Sequence, residues 1–192
     1  MSNYSLTVTV PVQSFQQLAH QGYKLCFACG VEREGFKVIA ATSYVAPYIS
    51  FAWSDDYGIA ATGSDFTEGA KVQAYTPVDS IRLGQTYTLS SDFQGSVKNG
   101  GSQGAIQFNN QADRASPILY RNMGSSKVPF YVGSQDSSQV IQPNHKVAVW
   151  FQTHAGDGMM ISRIDAPNIE IDMSGRTNAT AVYNEDSTWS LQ

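Results

Sequence analysis

Over much of the chain apolar and polar residues alternate with a period of two, the spacing at which successive side chains of an extended strand point to opposite faces. In Tyr48-Ile-Ser-Phe-Ala-Trp-Ser54 this puts Ile49, Phe51 and Trp53 on a core face and Tyr48, Ser50, Ala52 and Ser54 on the other. Short runs rich in Val, Ile, Tyr, Phe, Trp and Thr recur between turn residues, the signature of a sandwich or barrel. Strands are predicted near Ser5 to Val12, Lys24 to Val31, Phe36 to Tyr44, Tyr48 to Ser54, Gly58 to Thr62, Ala70 to Thr76 and Thr86 to Phe93. The series continues with Gly104 to Asn109, Ile118 to Asn122, Phe130 to Gly133, Lys146 to Thr153, Met159 to Arg163, Ile169 to Met173, Ala179 to Asn184 and Thr188 to Leu191.

The period changes once, between Gln13 and Gly22. Phe15, Leu18 and Ala19 fall at helical spacing, with Ser14 placed to cap and Gly22 to stop a short helix. A hairpin is expected from Val147 to Thr153, through His154-Ala-Gly-Asp-Gly158, into Met159 to Arg163. Its first strand carries large apolar groups on both faces, Val147, Val149 and Phe151 against Ala148 and Trp150, which marks it as central. Ser96 to Gln111 has too little apolar side chain to anchor itself, and Asn99-Gly-Gly101 reads as a turn or mobile loop. The pattern predicts an all-β chain, an antiparallel β-sandwich or open barrel with one short N-terminal helix. No linker or repeat interrupts it, so residues 1–192 are expected to form one domain.

Composition narrows the function. Charged residues make up 15% of the chain and the net charge is −4, with the 12 basic residues scattered. Nucleic acid is therefore not an expected partner, since phosphate backbones are held by clustered Lys and Arg. The N-terminal segment has no basic stretch followed by an apolar one, and no apolar run approaches the ~20 residues of a membrane helix, so a cytoplasmic location is expected.

The two cysteines form Cys26-Phe-Ala-Cys29. Zinc needs four ligands and no second pair follows; on a strand, residues three apart point to opposite faces. The two thiols are expected to stay reduced, without metal, and no motif calls for a cofactor. His20, His145 and His154 are isolated in sequence, and no nucleophile stands in a recognised catalytic context, so an enzyme is not expected. Asp55 and Asp56, with Asp65 or Glu68, form the one paired-carboxylate arrangement on which glycoside cleavage could be built, but adjacent residues on a strand diverge.

The most informative segment is Trp53-Ser-Asp-Asp-Tyr57, because aromatic faces stack on sugar rings and carboxylate oxygens accept sugar hydroxyls. Asn109, Asn110 and Arg114 add amides and a guanidinium. The expected function is non-enzymatic carbohydrate recognition of a lectin-like kind, with Trp53, Asp55, Asp56, Tyr57, Asn109, Asn110 and Arg114 as contacts. Abundant tyrosine, ten residues, supports as alternatives a membrane-binding or pore-forming sandwich that meets lipid, and low charge supports a self-assembling homo-oligomer. Size, acidity and Tyr/Trp-rich strands are compatible with fungal lectins and with the actinoporin and aegerolysin pore-formers, although none of their motifs can be placed on this chain residue by residue.

Overall fold

In the computed structural model, which describes residues 2–192, most of the period-two segments become strands and the one helical segment becomes a helix. In chain order these are β1 (Asn3–Thr9), α1 (Val12–His20), β2 (Tyr23–Val31), β3 (Ala41–Tyr44), β4 (Tyr48–Ser54), β5 (Tyr57–Thr62), β6 (Asp79–Ile81), β7 (Gln85–Leu89) and β8 (Gly95–Asn99). There follow β9 (Ile106–Asn110), β10 (Ser116–Met123), β11 (Ser126–Val132), β12 (Ser138–Ile141), β13 (Pro143–Thr153), β14 (Asn168–Asp172), β15 (Asn178–Tyr183) and β16 (Trp189–Leu191). They form four sheets of four strands, ordered β16-β15-β1-β4, β11-β10-β5-β6, β12-β9-β7-β8 and β14-β13-β2-β3. None closes into a barrel, and the architecture is all-β and sandwich-like. Most neighbours are antiparallel; β1 with β15 and β7 with β9 are parallel.

One apolar cluster draws side chains from all four sheets, among them Leu6 and Phe51, Ile59 and Leu119, Tyr87 and Phe108, and Phe27 and Val149. The sheets containing β2 and β4 meet through stacked Phe27 and Phe51, ring centroids 4.9 Å apart. β13 is central, as its two apolar faces require: it pairs with β14 on one edge and β2 on the other. Val147, Val149 and Phe151 enter the main cluster, whereas Ala148 and Trp150 enter a second one with Cys26, Ala28, Ile39 and Ile161. Cys26 and Cys29 are buried on opposite faces of β2, and no disulfide joins them.

Several expectations are corrected. Met159 to Arg163 does not fold back along β13, whose second edge β14 occupies. With His154 and Gly158 at positive φ the chain turns away, and Met159 and Met160 make single bridges to Lys71 and Val38. Ala70 to Thr76 likewise contributes one bridge instead of a strand, and only the last four residues of Phe36 to Tyr44 are extended in a sheet. Ser14 lies inside α1; Pro11 holds the cap position without a side-chain bond, and Gly22 ends the turn at φ 82. At Asn99-Gly-Gly101 the chain does leave the sheet, in an irregular connection over residues 100–105 with Gly100, Gly101 and Gly104 at positive φ. The apolar-poor stretch Ser96 to Gln111 around it is anchored, since it holds most of β8, an edge strand on β7, and all of β9. β6, β8 and β12 escape the alternation pattern because all three are short strands at sheet edges, where polar residues suffice.

Candidate functional site

The site grows from the end of β4. Strand alternation drives Trp53 inward, where its ring stacks on Tyr4 of neighbouring β1 at 5.7 Å and tilts against Phe27 at 4.8 Å. The ring expected to meet a sugar is thus a core ring, and Tyr57, the first residue of β5, is buried as well. Asp55 lies between the two strands and has one side open.

Facing Asp55 is Arg121 on β10, a guanidinium only 2% exposed. Its Nε donates to the Ser54 carbonyl at 3.2 Å, and its terminal NH2 donates to Asp55 Oδ1 at 3.0 Å and to the Tyr57 hydroxyl at 3.1 Å. The rings of Tyr57 and Phe130 lie 5.1 and 5.0 Å from the guanidinium carbon, so the charge is held by one carboxylate, two oxygens and two π faces. The Tyr4 hydroxyl donates to the other carboxylate oxygen, Asp55 Oδ2, at 3.0 Å. Both oxygens are therefore fixed while lone pairs remain free on the open side. Burial pushes the Cys29 thiol up, against the opposing pull of Arg121 beside it. Buried and protonated, it is a packing group and not a nucleophile.

Burial also pushes the Tyr57 hydroxyl and the Cys26 thiol up to about 12 from ordinary values of 10.0 and 9.0. The fold favours the neutral form of each, so this stability is fully present below pH 9. It is lost as pH rises towards 12, because the unfolded chain releases these protons first. Melting temperature should fall steadily above pH 9, and Tyr57→Phe should make the fall shallower. A melting temperature flat from pH 8.5 to 11.5 overturns this reading of the burial.

Asp56 points elsewhere. It accepts from Asn122 Nδ2 at 2.9 Å and pairs with Lys127 at 3.2 Å, so side chains of β10 and β11, and not turn amides, occupy it. The second group of expected residues is not brought to the first. β5 and β10 are paired from Tyr57 opposite Arg121 to Thr62 opposite Ser116, a span of about 17 Å, and Arg114 lies beyond its far end. Arg114 binds Asp65 at 3.0 Å and Gln135 at 3.2 Å. On β9, Asn109 accepts from Ser138 and Gln107, both at 3.3 Å, and Asn110 from the Ala112 amide at 2.9 Å.

Above Asp55 opens a cleft of about 610 Å³. Ser2 and Tyr4 come from β1 and the residues before it, His145 from the irregular start of β13, and Met173 to Thr177 from the turn between β14 and β15. Backbone bonds stitch these walls together: Ser5 to Thr177 at 2.9 Å, Met173 to His145 at 2.8 Å and Asp55 to Ser2 at 3.2 Å. Asp172 accepts the Ser174 amide at 2.9 Å, a bond that holds its carboxyl below the usual carboxylate range and pins the turn. The His145 ring sits 6.3 Å from Tyr4, tilted by 49°. Tyr4, Arg121 and Arg176 were not singled out by the sequence, and His145 was noted there only as an isolated histidine; the four come from remote segments. A smaller cleft of about 280 Å³ beside Tyr23 is lined by carboxylates already committed, Glu68 to Ser162 at 2.8 Å and Asp165 to Arg163 at 2.7 Å. Among the described residues no helix is long and apolar enough to cross a membrane, and no three His, Cys, Asp or Glu side chains gather as metal ligands. Comparison with family models, curated proteins and solved structures finds no match to this chain.

Proposed function

We propose that the protein recognises carbohydrate without turning it over, and that the sugar lies in the cleft above Asp55. The observation that carries this reading is the held carboxylate: Arg121 and Tyr4 each fix one oxygen at 3.0 Å, leaving acceptors in place for vicinal hydroxyls beside the Tyr4 and His145 rings. The cleft volume, about 610 Å³, is within the range that suits a small ligand. Of the seven contacts drawn from the sequence, Asp55 is the one kept; Tyr57 and Trp53 support it from below. A paired-carboxylate hydrolysis is not favoured, because Asp55 and Asp56 are tied to different cations, Arg121 and Lys127.

A glycan array followed by calorimetry tests the proposal. His145→Ala, an exposed change, should weaken the best glycan at least tenfold, about 1.4 kcal/mol, with the melting temperature unchanged. No binding to any glycan at millimolar concentration, or undiminished binding by the variant, overturns it. A second reading, membrane contact, is favoured by the exposure of Tyr44 (82%) and Tyr48 (76%), the latter beside exposed Val12 on an apolar groove. Under that reading liposome leakage occurs and Tyr48→Ser reduces it. Concentration-dependent light scattering without either response would favour self-assembly into homo-oligomers.

A further inference from the structure

The charges around the cleft are unequally satisfied. Its carboxylate, Asp55, is already neutralised by buried Arg121 at 3.0 Å and receives the Tyr4 hydroxyl. Its exposed cation, Arg176, forms no ion pair and no side-chain hydrogen bond among the described residues, although its backbone amide is fixed to the Met173 carbonyl at 3.1 Å. The nearby Asp172 and Lys146 face each other across the β13 and β14 ladder, one charge of each sign, and the imidazole of His145 stands on the same rim. The cleft therefore carries one uncompensated positive charge in a chain of net charge −4. Screening confines the remaining acidic residues to a reach of about 8 Å at physiological salt, so the local guanidinium governs what enters.

We infer that the ligand of this cleft is an anionic saccharide, whose carboxylate or sulfate group pairs with Arg176 while its hydroxyls bind Asp55. The inference rests on the carbohydrate reading and adds to it the class of sugar. A guanidinium matches either oxyanion through two parallel N–H donors, and a free one loses no existing partner on binding. The turn from Met173 to Thr177 fixes where the guanidinium starts, because its backbone is bonded at both ends: Arg176 to Met173, and Thr177 to Ser5 of β1 at 2.9 Å. A neutral sugar offers Arg176 hydroxyl acceptors alone, without the charge-assisted paired bonds that an oxyanion makes.

Four probes separate the possibilities by titration calorimetry: an oligogalacturonate, its methyl ester, a sulfated galactan oligosaccharide and a neutral galactan of equal length. The acid or the sulfate should bind at least tenfold tighter than its neutral counterpart, and which of the two does so names the oxyanion. Arg176→Gln should reduce that preference to less than threefold with an unchanged melting temperature. Arg163→Gln, in the ion pair with Asp165 away from the cleft, should leave it intact. Neutral sugars bound as tightly as acidic ones, or a preference that survives Arg176→Gln, overturn the inference and leave carbohydrate recognition standing. Failure of all four probes, and of every glycan on the array, overturns both.

Discussion

Arg121→Met is expected to lower the stability to unfolding by about 3–5 kcal/mol, the range for removing one partner of a buried ion pair. The guanidinium donates to the Asp55 Oδ1, Ser54 carbonyl and Tyr57 hydroxyl oxygens together, and methionine fills its volume while supplying no N–H. Asp55, with a side chain 25% exposed, recovers some hydration; the Ser54 carbonyl and the Tyr57 ring lie deeper. Asp55→Asn should also destabilise, since it leaves a buried cation facing a neutral amide. The double variant should cost less than the two single losses together, with a coupling of about 0.5–3 kcal/mol, because it removes both charges at once. Urea unfolding of the three variants measures this. A loss below about 1 kcal/mol for Arg121→Met would show the cluster to be solvated. Asp55→Asn combined with Asp56→Asn would not isolate ligand binding, because both residues pair with cations of β10 and β11 and the change perturbs the fold whether or not a ligand binds. His145 and Arg176, which hold nothing together through their side chains, are the sharper probes.

Trp150→Ala should cost a similar amount, about 3–5 kcal/mol, through the cavity it leaves. Trp150 is the largest fully buried side chain, set mid-strand in β13 with its indole N–H donated to Gln152 at 2.9 Å. Its neighbours include Ala28, Ala148 and Ala155, which are too short to swing into the space. Trp189→Ala offers the contrast: that ring is half-buried on edge strand β16, stacked on Phe151 at 5.3 Å, and its removal should cost clearly less. Equal losses, or a loss below about 1 kcal/mol at Trp150, would mean that β13 is peripheral.

How far the sequence discloses this molecule depends on which interactions set each feature. β4 was legible to the residue, Tyr48 to Ser54, because a half-buried strand writes its own face into alternation. The central place of β13 was legible for a related reason, since apolar groups on both faces need cover on both. Its partner was not. Which strand lies on its far edge depends on β14 winning over Met159 to Arg163, and both are short and partly apolar. Asp55 stood out as a carboxylate beside an aromatic strand end, whereas its importance comes from Arg121, 66 positions away. The signal available for Arg121 was a lone charge in the apolar run Ile118 to Asn122, which is unusual enough to ask for a buried partner. Asn109, Asn110 and Arg114 stood out by residue type as Asp55 did, but Arg114 lies beyond the far end of the β5 and β10 pairing, and Asn109 and Asn110 belong to β9 in another sheet.

The parallel seam between β1 and β15 governs when this protein can fold. No tight turn can join parallel strands, and the seam sets Ser5 opposite Asn178, so the first strand made must wait for almost the last. A loop so long costs little extra in free energy, because closure entropy grows only with the logarithm of length, but it makes the search slow. During synthesis β1 can rest on β4 through one edge, while its other edge and the apolar side chains of Leu6 and Val8 await the strands that will cover them. The interval from the making of Ser54 to the making of Tyr183 is the period in which a chaperone, or another unfinished chain, competes for that open edge.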